Sequence, residues 1–174
     1  MVMPDLYKLA DKKYNDNHRY FVDATPVVAD ICISDCTSAS LAEWRTILVG
    51  GLGGGGRGYY ALDITDPTNP KALWEFTNAN LGYSFGNPQI AKQSDGTWVV
   101  LVTSGYNNIP EGSWATGDGV GRLFVINAAT GALVRTLSTG VGDTTNPSGL
   151  AKITAQVVNP SSDNTVEAVY GGDL

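Results

Sequence analysis

The sequence predicts an all-β protein assembled from repeated four-stranded units, and three observations carry that expectation. Trp44-Arg45-Thr46-Ile47-Leu48-Val49-Gly50-Gly51 is echoed by Trp98-Val99-Val100-Leu101-Val102-Thr103-Ser104-Gly105. Gly58-Tyr59-Tyr60-Ala61-Leu62-Asp63-Ile64-Thr65 is echoed by Gly121-Arg122-Leu123-Phe124-Val125-Ile126-Asn127-Ala128. Each copy also closes with a strand-like run, 72–77 and 132–137, and opens with another, 25–31 and 87–91. Four short strands recurring after about sixty residues are the mark of propeller blades.

Taken in order, residues 1–19 read as an irregular polar lead-in with one helical turn at Leu6 to Lys12. Strand signals begin at Tyr20-Phe21-Val22. Ser40-Leu41-Ala42-Glu43 fits a capping box, with Ser40 as N-cap and Glu43 three residues on, so a helical turn is expected before Trp44. The first blade is assigned to 20–85, where Pro67 and Pro70 confine the segment between its last two strands to a loop. The second blade, 86–147, contains the hairpin-type turn Ser94-Asp95-Gly96-Thr97 and the long loop Tyr106 to Gly119. It also contains Asn127-Ala128-Ala129-Thr130-Gly131, where Gly131 suits positive φ. An incomplete third blade, 148–174, adds 153–158 and 166–172.

The expected fold is thus a partial β-propeller of about two and a half four-stranded antiparallel blades. A propeller closes with roughly four to eight blades, so both ends would leave open edges. The chain is therefore expected to be a piece of a longer protein, or to need partner blades. The lack of a secretory leader at its start favours the former.

Composition narrows the function classes. The chain has a net charge of −6 and no cluster of Lys and Arg, which argues against nucleic acid. No apolar run approaches the roughly 20 residues of a membrane span. Cys32 and Cys36 are expected to form a disulfide, which places the chain in an oxidising compartment. Two unpaired thiols are the alternative, while a zinc site lacks ligands because His18 is the only histidine.

Gly51, Gly53 and Gly56 spell a dinucleotide-binding pattern, but a strand follows where that motif requires a helix. The run reads as a flexible connection, and Arg57 on it as a possible surface contact. Trp44, Trp74 and Trp98 sit at strand positions suited to packing between blades. Trp114, on the long loop, is a modest binding hint set against a role in covering a blade edge. Asp63 and Asn127 occupy equivalent places that suit Asx turns. No catalytic residue emerges, since no triad can be built around a single histidine, and the chain is read as non-enzymatic.

The words His18-Arg19-Tyr20-Phe21-Val22-Asp23-Ala24-Thr25-Pro26, Trp44 to Leu52, Gly58 to Pro67 and Leu73 to Phe76 occur in that order. Leu81-Gly82-Tyr83-Ser84-Phe85-Gly86 and Val169-Tyr170-Gly171-Gly172-Asp173-Leu174 complete the series. The series resembles the C-terminal propeller, with quinoprotein-like repeats, of the PilY/PilC family of type IV pilus tip-associated biogenesis factors and adhesins. The resemblance implies an exported protein of the cell surface or pilus (fimbrium), reached through the periplasm. It implies calcium binding, control of pilus extension and retraction, and adhesion. The partners it implies are pilus components such as minor pilins, a host or surface receptor, and the remaining blades of the parent protein. The alternatives are a fragment of a quinoprotein-like dehydrogenase using pyrroloquinoline quinone, which would need a complete ring around its cofactor, and a metal-free scaffold.

The resemblance also places a calcium loop at Asn159-Pro160-Ser161-Ser162-Asp163-Asn164-Thr165-Val166-Glu167. Side-chain oxygens at Asn159, Ser161, Asp163 and Glu167, with the Thr165 carbonyl, fall on the alternating positions that such a loop directs at one cation. The loop is depleted: Asn159 and Ser161 are neutral, Pro160 stiffens the turn, Asn164 stands where glycine is usual, and only two formal negative charges remain. Weak calcium affinity is expected, and a plain hairpin turn accounts for the same residues.

Overall fold

The computed structural model describes residues 20–38, 40–113 and 115–173. The expected lead-in and its helical turn therefore lie outside the described residues, as do His18, Arg19, Trp114 and Leu174. Ten strands and no helix make up the regular structure among the described residues. They are β1 (Val27–Ser34), β2 (Glu43–Gly51), β3 (Tyr59–Asp63), β4 (Lys71–Phe76), β5 (Gln89–Lys92), β6 (Trp98–Thr103), β7 (Arg122–Asn127), β8 (Leu133–Ser138), β9 (Ile153–Asn159) and β10 (Asp163–Gly171).

Strands β1 to β4 form one antiparallel meander, and β5 to β8 form a second in the same order. The hairpin β9–β10 follows, attached to the edge of β5 by a single parallel pair, Thr165 with Lys92. The expected strand-like runs from 25–31 onward fall on these strands, and the fold is an all-β partial propeller.

Layering comes from alternation along the middle sheet. On β6, Val100 and Val102 point to one side while Val99 and Leu101 point to the other, as a period of two requires. On β7, Phe124 and Ile126 join the first side and Val125 the second. The first side meets Ile31, Ile47, Val49, Tyr59, Trp74 and Phe76 of the preceding sheet. The second meets Ile153, Ala155, Val166 and Val169 of the hairpin. All four residues Val99 to Val102 are at most 3% exposed, which explains why they read as an unbroken apolar run. Each contributes about 1.5–3 kcal/mol by burial.

Aromatic residues tie the first two sheets together. Phe76 and Phe124 pack at 5.6 Å between ring centroids, and Trp44 meets Trp98 edge-on at 6.1 Å. Trp74 donates its indole N–H to the Ala128 carbonyl at 2.8 Å. The three strand tryptophans therefore pack between sheets, as their positions predicted, although Trp44 stays half exposed. Asp63 and Asn127 close Asx turns, accepting from the Thr65 N–H and from the Ala129 and Thr130 N–H groups.

Three local expectations are corrected. Residues Tyr20 to Val22 form no strand and the chain bends at Phe21 and Val22, where the Asp23 carboxylate accepts from the Gly54 N–H and the glycine-rich run packs against this segment. That run is no flexible link: a side chain on Gly55 would collide with the Phe21 carbonyl, and buried Ser84 accepts from the Leu52 N–H and donates to the Gly58 carbonyl. The capping box does not form. The Ser38 carbonyl accepts from the N–H groups of Leu41 and Ala42 in one isolated turn, and Glu43 opens β2, where it pairs with Arg45.

Gly131 combines φ +74° with a Cβ direction that ends 2.6 Å from Trp74 Cβ, whereas Gly96, at φ +89°, faces open space. Gly131→Ala should therefore cost more stability in thermal unfolding than Gly96→Ala. The expected difference is about 1–3 kcal/mol, since overpacking adds to the backbone strain that both share.

Candidate functional site

Two regions gather the residues singled out from the sequence, the β9–β10 hairpin and the long loop between β6 and β7. In the hairpin, Asn159 and Asp163 face each other across the turn. The Asn159 side-chain oxygen accepts from the Ser161 N–H at 3.0 Å, and the Asn159 carbonyl accepts from the Ser162 N–H at 3.1 Å. Asp163 Oδ1 accepts from the Thr165 N–H at 2.9 Å and its hydroxyl at 2.6 Å. The same oxygen lies 3.0 Å from the Lys92 ammonium on β5. These bonds, with Thr165 the largest contributor and Lys92 next, hold the Asp163 carboxyl down at about 2.

Glu167 goes elsewhere. Its carboxylate accepts from the Gln156 amide at 3.4 Å, and Gln156 in turn accepts from the Tyr170 hydroxyl at 3.2 Å. Gln156 alternates with Ile153 and Ala155, which pack on the middle sheet, so this trio lies on the outer face. Asp163 and Thr165 turn instead toward Lys92. From Asp163 to Glu167 the strand also advances by about 13 Å. The turn thus brings Asn159, Ser161 and Asp163 together but leaves the two carboxylates on opposite faces. In this arrangement the five residues do not make one coordination sphere for calcium.

The long loop is pinned at both ends. Arg57, only 5% exposed in its side chain, donates to the Ile109 carbonyl at 2.9 Å, pairs with Glu111 at 2.7 Å and lies over the Tyr83 ring. It is a buried anchor and not the surface contact its position in a glycine-rich run pointed to. Asn108, fully buried, donates to the Val120 carbonyl at 2.8 Å. Asp118 then takes both guanidinium nitrogens of Arg122 at 2.6 Å. Sequence reasoning missed these anchors because each partner is remote or looks like ordinary loop polarity.

Cys32 and Cys36 are joined as a disulfide across the turn that follows β1. Among the described residues no group of three or more His, Cys, Asp or Glu could hold a metal ion, and no helix is long and apolar enough to cross a membrane.

Comparison with known proteins adds a family context. Residues 1–174 match the model of the PilY1 beta-propeller domain. The type IV pilus biogenesis factor PilY1 of Pseudomonas aeruginosa strain PAO1 is 35% identical over 99% of this chain, and a PilY1 homolog of Xylella fastidiosa is 36% identical over the same share. The chain spans only about one seventh of these relatives, 14% and 13% of their lengths. The crystal structure of the P. aeruginosa PilY1 C-terminal domain superposes with a TM-score of 0.68 at 36% identity, over 88% of this chain and 28% of that one.

Arg122 holds the Asp118 carboxyl well below its ordinary 3.8, at about 2. A depressed carboxylate stabilises the fold above its unfolded value and loses that contribution as pH falls through the folded one. The loop anchor should therefore weaken between about pH 4 and 2. Asp118→Asn should remove that part of the acid dependence in a pH series of thermal unfolding, at a cost near neutral pH of about 1 kcal/mol or less because the Asp118 carboxylate is half exposed.

Proposed function

The chain belongs to the PilY1 β-propeller family, and on that premise we propose that it is part of a type IV pilus biogenesis factor, acting non-enzymatically at the pilus or cell surface. The observation that carries this reading is the family match along all 174 residues, supported by relatives that bear the name type IV pilus biogenesis factor. The Cys32–Cys36 disulfide accords with an exported protein. The finer role is control of pilus extension and retraction together with surface adhesion. Its partners are pilus components such as minor pilins, a surface receptor, and further blades of the parent protein.

What the residues offer such a role is a layered framework, with sheets packed on both faces of the middle one and the long β6–β7 loop anchored at both ends. Binding energy is then spent on the partner and not on ordering the loop. Calcium-responsive control would require Asp163 to leave Lys92 and Glu167 to turn to the opposite face, so the role proposed here runs without a calcium step.

Excising the coding region for this chain from its parent gene should reduce sheared surface pilin and surface motility, with restoration by the intact gene in trans. Undiminished piliation and motility in the excised strain, or quinone-dependent dye reduction by the purified parent protein, would sink the reading and favour a dehydrogenase.

A further inference from the structure

The β9–β10 hairpin is held to the second sheet at its turn end by one ladder pair and one ion pair, and both involve Lys92. We propose that Lys92 is the resident cation of this hairpin: its ammonium takes the Asp163 carboxylate and fixes the hairpin's turn end to the second sheet without a metal ion. The geometry supports this in several independent ways. Lys92 Nζ stands 3.0 Å from Asp163 Oδ1, ion-pair contact distance. Thr165, which orders that oxygen through two hydrogen bonds, is also the residue paired with Lys92 across the parallel ladder. The group that aims the carboxylate and the group that neutralises it are thus held opposite one another by backbone.

Charge count points the same way. One carboxylate at this turn matches one ammonium, and the second acid, Glu167, is engaged with Gln156 on the far face. A divalent ion at Asp163 would find neutral Asn159 and Ser161 beside it and would have to displace an adjacent positive charge. The side chains of Lys92 and Asp163 are 30% and 42% exposed, so the pair is modest in strength. Its effect is local: it fixes the turn end of the hairpin, while Val166 and Val169 hold the rest through the apolar layer.

Amide hydrogen exchange on the full chain tests the proposal. Lys92→Met should speed exchange at residues 163–166 about fivefold while leaving β6 and β7 unchanged, and Lys92→Arg, which keeps the cation, should stay within about twofold of wild type. Calcium chloride at about 5 mM should leave wild-type hairpin exchange within the same twofold. The proposal is overturned if calcium slows wild-type exchange at the hairpin and Asp163→Asn abolishes that effect. It is equally overturned if Lys92→Met exchanges like wild type. Should Lys92→Met loosen the whole chain, Lys92→Arg decides: wild-type exchange supports the resident cation, and equal loosening refutes it.

Discussion

The double-sided burial of the middle sheet is the constraint on which the rest of the structure depends. A sheet with one apolar face needs one neighbour, but β6 presents valine and leucine to both sides and therefore demands two. The preceding meander and the following hairpin satisfy that demand. Their packing sets the spacing of the layers, and the spacing decides where every connection must run. The glycine-rich junction, Trp74 reaching Ala128, and Arg57 spanning to Ile109 all follow from sheets held face to face.

Much of the fold was legible in the sequence because strands announce themselves through a period of two and through repetition. The paired words around Trp44 and Trp98, and around Ala61 and Phe124, fall on β2, β6, β3 and β7. Asp63 and Asn127 were readable as turn formers because an Asx turn is local. Tyr20 to Val22 misled because an aromatic and β-branched run resembles a strand, whereas the segment packs against the loop at Gly53 to Gly55. Ser40 and Glu43 had the spacing of a helix start, but Glu43 is drawn into the ladder opposite Ser34.

The candidate site was legible only in part. The alternating oxygens from Asn159 to Glu167 correctly marked a tight turn, yet their spacing could not reveal which face each side chain would take. An irregularity in the β9–β10 register between Val166 and Ala168 intervenes there, and Glu167 turns to Gln156. Nor could it reveal Lys92, which belongs to a different strand and becomes a neighbour only through the fold. Arg57 was misjudged for the same reason, since its burial is created by Tyr83 and by the loop carrying Glu111.

The shared core between the first two sheets also has a consequence for how the polypeptide is made. The first meander can complete its own ladder as soon as Phe76 has left the ribosome, but Ile47, Val49 and Tyr59 then remain bare until Val100 and Val102 arrive, followed by Phe124 and Ile126. During that interval the nascent chain carries a greasy, strand-forming surface with nothing to cover it. A chaperone that shields such surfaces would matter most across this window, and a pause in translation before β6 would be the costliest place to stall.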